Sequence, residues 1–101
     1  MHIISRKKLS EAGTQHSTAI TPLDSWYRIA KSARWRSLED VRRTYRHADG
    51  VTVCKRDQKR IYTVFNIGDF RLITEIFYDD WRVLIRHVLT HAEYDKEDWK
   101  K

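Results

Sequence analysis

The sequence holds one cysteine, one proline and three glycines in 101 residues. A lone cysteine, Cys54, excludes an internal disulfide framework, so a packed core must hold the fold. Cys54 follows Val51 and Val53 and reads as a buried small hydrophobe, not as a nucleophile. So little glycine and proline excludes long flexible linkers. No run approaches the roughly 18–20 apolar residues that span a bilayer, and Met1-His2-Ile3-Ile4-Ser5 is too short an apolar start for a signal peptide. The expected location is therefore the cytoplasm, with no membrane partner.

What the chain has is charge. Lys and Arg number 20 against 14 Asp and Glu, a formal net charge of +6. The length suits a single domain over residues 1–101. A basic excess on so small a body favours a polyanionic partner, because each phosphate contact releases condensed counterions. A soluble protein that is basic without such a partner is the competing reading.

Hydrophobic periodicity divides the chain in two. Residues 1–5 suggest a short strand, with Ser5 capping a weakly patterned helix that ends near His16. Thr21-Pro22 starts a second helix, on which Leu23, Trp26, Tyr27 and Ala30 form a core-facing stripe. Ser37 with Asp40 resembles a capping box ahead of Leu38, Val41, Arg42 and Tyr45. Asp49-Gly50 breaks the pattern. Beyond it Val51–Lys55, Ile61–Ile67, Phe70–Tyr78 and Trp81–Leu89 have strand composition, separated by short polar stretches. The expected fold is α+β, a small antiparallel meander backed by N-terminal helices.

A two-residue turn at Gly68-Asp69 sets Ile67 opposite Phe70 and Asn66 opposite Arg71. Alternation then places Ile61, Phe65, Ile67, Phe70, Leu72 and Ile76 on a core face. Tyr62, Asn66, Arg71 and Glu75 fall on the other. A second two-residue turn at Asp79-Asp80 adds Val83, Ile85 and His87 to the core face, with His87 a structural histidine. It adds Arg82 and Arg86 to the face of Asn66 and Arg71, with Arg86 across from Ile73. One extra residue in either loop would flip a strand. The arginines either grip phosphate bidentately or form ordinary cross-strand pairs with Glu75 and the acidic turn. Trp26 reads as core, and Trp35, Trp81 and Trp99 as half-exposed.

The last strand runs into Thr90-His91-Ala92-Glu93-Tyr94-Asp95-Lys96, dense in groups that carry protons. Together with Val64-Phe65-Asn66-Ile67, Phe70-Arg71-Leu72-Ile73 and Ile85-Arg86, this segment resembles the signature of the HigB toxins within the RelE-like group. Ile3-Ile4-Ser5-Arg6-Lys7, Trp26-Tyr27 and the Trp35 region are similar to that family as well. The tight Gly68-Asp69 connection is shorter than is usual there, which would reposition Arg71.

The resemblance implies a RelE-like fold and an endoribonuclease that cuts messenger RNA, commonly at the ribosome. It also implies silencing by a HigA-type antitoxin, a helix-turn-helix protein that makes the DNA contacts of the complex. Metal-independent RNA cleavage needs a base for the 2′-hydroxyl, charge stabilisation at phosphate, and an acid for the leaving oxygen. His91 is the leading base or acid. Tyr94 is a second proton carrier or a stacking platform. Arg71 and Arg86 would hold the scissile phosphate, Asn66 would orient it, and Lys96 is a further phosphate contact. No cofactor or metal is expected. A zinc site at His87 and His91 is disfavoured because they lie on a strand and its exit. The alternative is a non-catalytic basic module that binds RNA, the ribosome or an acidic partner.

Overall fold

The computed structural model describes residues 1–100, so the last residue of the expected domain lies outside it. Five strands form one sheet: β1 (His2–Ile4), β2 (Asp49–Lys55), β3 (Gln58–Ile67), β4 (Phe70–Phe77) and β5 (Arg82–Thr90). Their order is β1-β5-β4-β3-β2. Strands β2 to β5 form the expected antiparallel meander, and β1 adds a parallel edge beside β5. Helices α1 (Lys7–Gln15), α2 (Ile20–Ser32) and α3 (Leu38–Thr44) precede β2, and α4 (His91–Asp95) follows β5. None of the described helices is long and apolar enough to cross a membrane.

The helix signals hold in outline and shift in detail. Ser5 does not cap α1: it sits in a left-handed turn at φ 70°, and Arg6 occupies the cap position without a side-chain bond. A 3₁₀ turn at Ser17–Ala19 starts α2 at Ile20, so Pro22 lies inside the first turn. It is tolerated there because those N–H groups have no helical partner. Ser37 does cap α3, its Oγ accepting from the Asp40 N–H at 3.3 Å. The Asp40 carboxylate reaches one residue further, accepting from the Arg36 N–H at 3.0 Å and Arg36 Nε at 3.3 Å. Ser37→Ala should therefore cost about 1 kcal/mol, read as a lower midpoint in urea at unchanged slope.

Gly50 lies within β2, opposite Thr63, and does not break the chain. A Cβ there would sit 3.2 Å from Leu38 Cδ2, so the glycine admits α3 close to the sheet. The main core lies between the helices and one sheet face, with Trp26, Trp35 and Tyr45 around Phe65 at ring-centroid separations of 5.4, 5.8 and 5.3 Å. Phe65, Ile67, Phe70, Leu72, Ile76, Val83 and Ile85 join it as expected. Two expectations fail at the β2–β3 hairpin, which runs out past the helices. Ile61 is 65% exposed, and Cys54, paired with Lys59, is exposed rather than buried.

The other sheet face carries a small second core of Val53, Tyr62, Val64, Ile73 and Trp99. Trp99 comes from a 3₁₀ turn at Asp98–Lys100, so the C-terminal segment folds back over the sheet. Trp35 and Trp99, expected half-exposed, are 4% and 5% exposed, whereas Trp81 is exposed.

Candidate functional site

The β3–β4 turn is the one the sequence indicates, with Gly68 at φ 58°, Ile67 opposite Phe70 and Asn66 opposite Arg71. The β4–β5 connection is a 3₁₀ turn at Tyr78–Asp80 closed by Trp81 at φ 55°. It keeps the expected register from Phe77 opposite Arg82 to Thr74 opposite Ile85. The register then shifts at Ile73/Thr74, and His87, not Arg86, lies across from Ile73. The cause is a β-bulge that inserts one extra residue in β5. The Arg86 carbonyl, out of the ladder, accepts from Lys8 Nζ at 2.7 Å.

The bulge changes which side chains share a face. Val88 packs into the main core while Leu89 joins the second one. His87, opposite Ile73, therefore leaves the core side on which alternation had placed it. It lies half-buried beside Arg86 on the face of Arg71. Burial lowers its pKa, and the nearby charges of Lys8, Lys55 and Arg86 lower it further. The unfolded chain thus takes up a proton at higher pH than the native one. Native stability should fall as pH drops below the ordinary histidine value toward the lower native one. His87→Gln should flatten that decline, seen as thermal midpoints measured between about pH 7 and 5.

At the end of β5, Thr90 caps α4 through a complete capping box: its Oγ1 accepts from the Glu93 N–H at 3.2 Å, and Glu93 Oε1 accepts from the Thr90 N–H at 2.9 Å. The same backbone hydrogen bond is the main cause holding the Glu93 carboxyl below its ordinary pKa. The box fixes the angle at which the helix leaves the strand, and hence the place of His91. Arg71 Nη2 donates to His91 Nδ1 at 3.0 Å, and His91 Nε2 lies 3.2 Å from Asp95 Oδ2. A guanidinium only donates, so Nδ1 is the accepting nitrogen and the proton sits on Nε2, facing the carboxylate. The imidazole is 62% exposed, open to an incoming ligand.

Asn66 is exposed, across the strand from Arg71 and beside the loop Tyr45–Ala48. Tyr94 stacks on Trp99, with centroids 5.2 Å apart and planes 15° from parallel, and Trp99 Nε1 donates to the Tyr94 carbonyl at 3.0 Å. Lys96 is exposed at the C-terminal end of α4. Arg86 does not join the Arg71–His91 pair. Its Nη2 and Nε donate to Glu75 Oε1 at 2.6 and 3.2 Å, with Arg60 Nη1 3.6 Å from the same oxygen. Glu75 lies four residues along β4 from Arg71, roughly 13 Å at strand rise. Arg82 pairs with Asp80 at 2.9 Å in its own turn. The alternative of ordinary ion pairs thus describes Arg82 and Arg86 here, and Arg71 alone meets the imidazole.

Sequence reasoning missed Asp95 and the cap. Both had signals: His91 and Asp95 stand at i, i+4, and Thr90 with Glu93 has capping-box spacing.

The fold is α+β, and at the end of its sheet Arg71 of β4 meets the His91–Asp95 pair of α4. The sequence model of the HigB toxin family, described as the RelE-like toxic component of a toxin–antitoxin system, matches residues 19–97. The chain is 28% identical over 98 residues to an mRNA interferase HigB of Escherichia coli O6:H1, covering 95% of this chain and 90% of that one. It is 29% identical over 100 residues to the mRNA interferase toxin HigB of Escherichia coli K12, covering 94% and 88%. The chain belongs to the HigB toxin family.

Proposed function

We propose that this toxin is an endoribonuclease that cleaves messenger RNA at the ribosome, with side chains in place of a metal ion, and is held inactive by a HigA-type antitoxin. The observation that carries the reading is the Arg71–His91–Asp95 chain of contacts. With Arg71 donating to it, the Nδ1 lone pair is occupied. A phosphate drawing the guanidinium away would free that nitrogen while Asp95 keeps the ring oriented and the proton on Nε2. His91 then takes the proton of the 2′-hydroxyl on Nδ1 as that oxygen attacks the phosphorus. The bond from phosphorus to the 5′-oxygen breaks, and that oxygen takes a proton from solvent water, leaving a 2′,3′-cyclic phosphate and a 5′-hydroxyl. Arg71 meets the charge that grows on the phosphoryl oxygens, where a fixed guanidinium acts most strongly. Asn66 orients the same phosphate, and the ring of Tyr94, held flat by Trp99, stacks against a base. Arg86 takes the phosphate of a neighbouring nucleotide, and Lys96 adds charge at the rim.

Ribosome dependence is supported by the openness of the site. Side chains on an exposed sheet end hold a flexible strand weakly, and a message already threaded and ordered removes much of that entropic cost. The test is cleavage of one message in a reconstituted translation system and as naked RNA, with EDTA added to the naked RNA only, since ribosomes themselves need Mg²⁺. Rapid cuts within translated message, and far slower cuts on naked RNA that EDTA leaves unchanged, are the expected result. EDTA-sensitive cleavage of naked RNA would remove the metal-free mechanism, and equal rates on both substrates would remove the ribosome. Absence of cleavage with retained binding would favour a non-catalytic basic module.

A further inference from the structure

The β2–β3 hairpin carries four cations in six residues, Lys55, Arg56, Lys59 and Arg60, against one carboxylate, Asp57. Three of them, Lys55, Arg56 and Arg60, line an open cleft of about 690 Å³ together with Arg86 and Tyr62. Tyr62 forms its floor, with Lys55 Nζ and the Arg86 guanidinium 5.9 and 5.8 Å from the ring centroid. Glu75 neutralises part of this charge from the Arg60 and Arg86 side, leaving Lys55 and Arg56 in excess. Burial is the main cause of the lowered pKa of the neighbouring His87, and the charges of Lys8, Lys55 and Arg86 add to it.

The turn itself is costly. Arg56 and Asp57 adopt φ of 49° and 63° between Lys55 and Gln58. Positive φ at both central positions is the geometry that Asn-Gly adopts at little cost and that a long side chain resists. Such strain persists where the surroundings or function require the side chain.

We propose that this hairpin cleft is a second RNA-binding subsite, remote from the Arg71–His91 pair, which takes backbone phosphates of the single strand extending past Arg86. Arg56 is held in a strained turn because its charge is needed at the cleft mouth. The proposal rests on the reading of the chain as an RNA-cleaving toxin and extends it to a longer stretch of substrate.

The experiment measures binding of a fluorescein-labelled 2′-O-methyl RNA of about 12 nucleotides, which cannot be cut because its 2′-oxygens are blocked. Fluorescence anisotropy is read over a range of KCl concentrations. Three full-length variants are compared with the parent: Lys55→Gln, Lys59→Gln, and Arg56→Asn with Asp57→Gly. Lys55→Gln and Lys59→Gln remove the same charge, but only Lys55 lines the cleft. The double variant leaves net charge unchanged and gives the turn its preferred residues.

Lys55→Gln and the double variant should each weaken binding several-fold and reduce the salt slope by about 0.7, the loss of one phosphate contact on a single strand. Lys59→Gln should bind like the parent. The double variant should also melt higher, so its weaker binding cannot come from misfolding. Equal effects of Lys55→Gln and Lys59→Gln, or a double variant that is stabilised yet binds like the parent, would overturn the subsite. Loss of this subsite with His91-dependent cleavage intact would leave the enzymatic reading standing. A toxin that cleaves normally without His91 would sink that reading whatever the hairpin does.

Discussion

His91→Ala is expected to lower message cleavage by about 10²–10⁴-fold, the usual worth of a positioned proton-transfer group. The side chain is 62% exposed, so unfolding stability should stay within about 0.5 kcal/mol of the parent. Arg71→Ala should have an effect of similar size, since a preorganised charge at a developing oxyanion is worth about 10²–10³-fold. Arg71→Lys should recover little, because an ammonium lacks the planar fork that faces both imidazole and phosphate. The two losses should not multiply: each residue holds the other in place, and residues that act as a unit are far from additive. Cleavage gels and thermal melts on the two single variants and the double variant give the result. Full activity of either single variant, with its fold intact, would take that residue out of the chemistry.

The chain displayed part of this site in its residue order. Gly68 between two alternating apolar runs sets the β3–β4 register, and with it the neighbours Asn66 and Arg71. The bulge in β5 breaks the count. Its trace is nevertheless present: Val83 and Ile85 point inward two residues apart, and the next core residue, Val88, comes three further on. Two polar residues, Arg86 and His87, fill the gap, so strict alternation assigns His87 to the wrong side. The hairpin that exposes Ile61 and Cys54 was not legible, because burial there depends on how far the helices reach across the sheet. The return of Trp99 onto Tyr62 was likewise hidden. It is a tertiary contact between segments more than thirty residues apart, and no local spacing encodes it.

Trp99 therefore carries the second large effect. Its indole is 5% exposed, packed with Val53, Tyr62, Val64 and Ile73, and bonded to the Tyr94 carbonyl at 3.0 Å. Trp99→Ala should cost about 3–5 kcal/mol, as for truncation of a large buried aromatic, a substantial part of a small domain's stability. The functional loss should exceed what the folded fraction explains. Helix α4 has five residues, too few to persist without tertiary support, and it carries both His91 and Tyr94. Freed from Trp99, it keeps its capping box and the Arg71–His91 contact but loses the aromatic packing that helps to seat it on the sheet. A displacement of about 1 Å at a reacting group costs on the order of a hundredfold. Trp99→Phe retains a ring to stack on Tyr94 and gives up one hydrogen bond, about 1 kcal/mol, so it should restore most of the activity. Tyr94→Phe, which keeps the stack, should likewise stay close to the parent if the ring acts by stacking. Melting curves, cleavage rates corrected for folded protein, and amide exchange over residues 91–96 separate the contributions. A Trp99→Ala protein that remains folded, protects those amides and cleaves at the parental rate would show that the capping box and the Arg71–His91 contact seat the helix without Trp99.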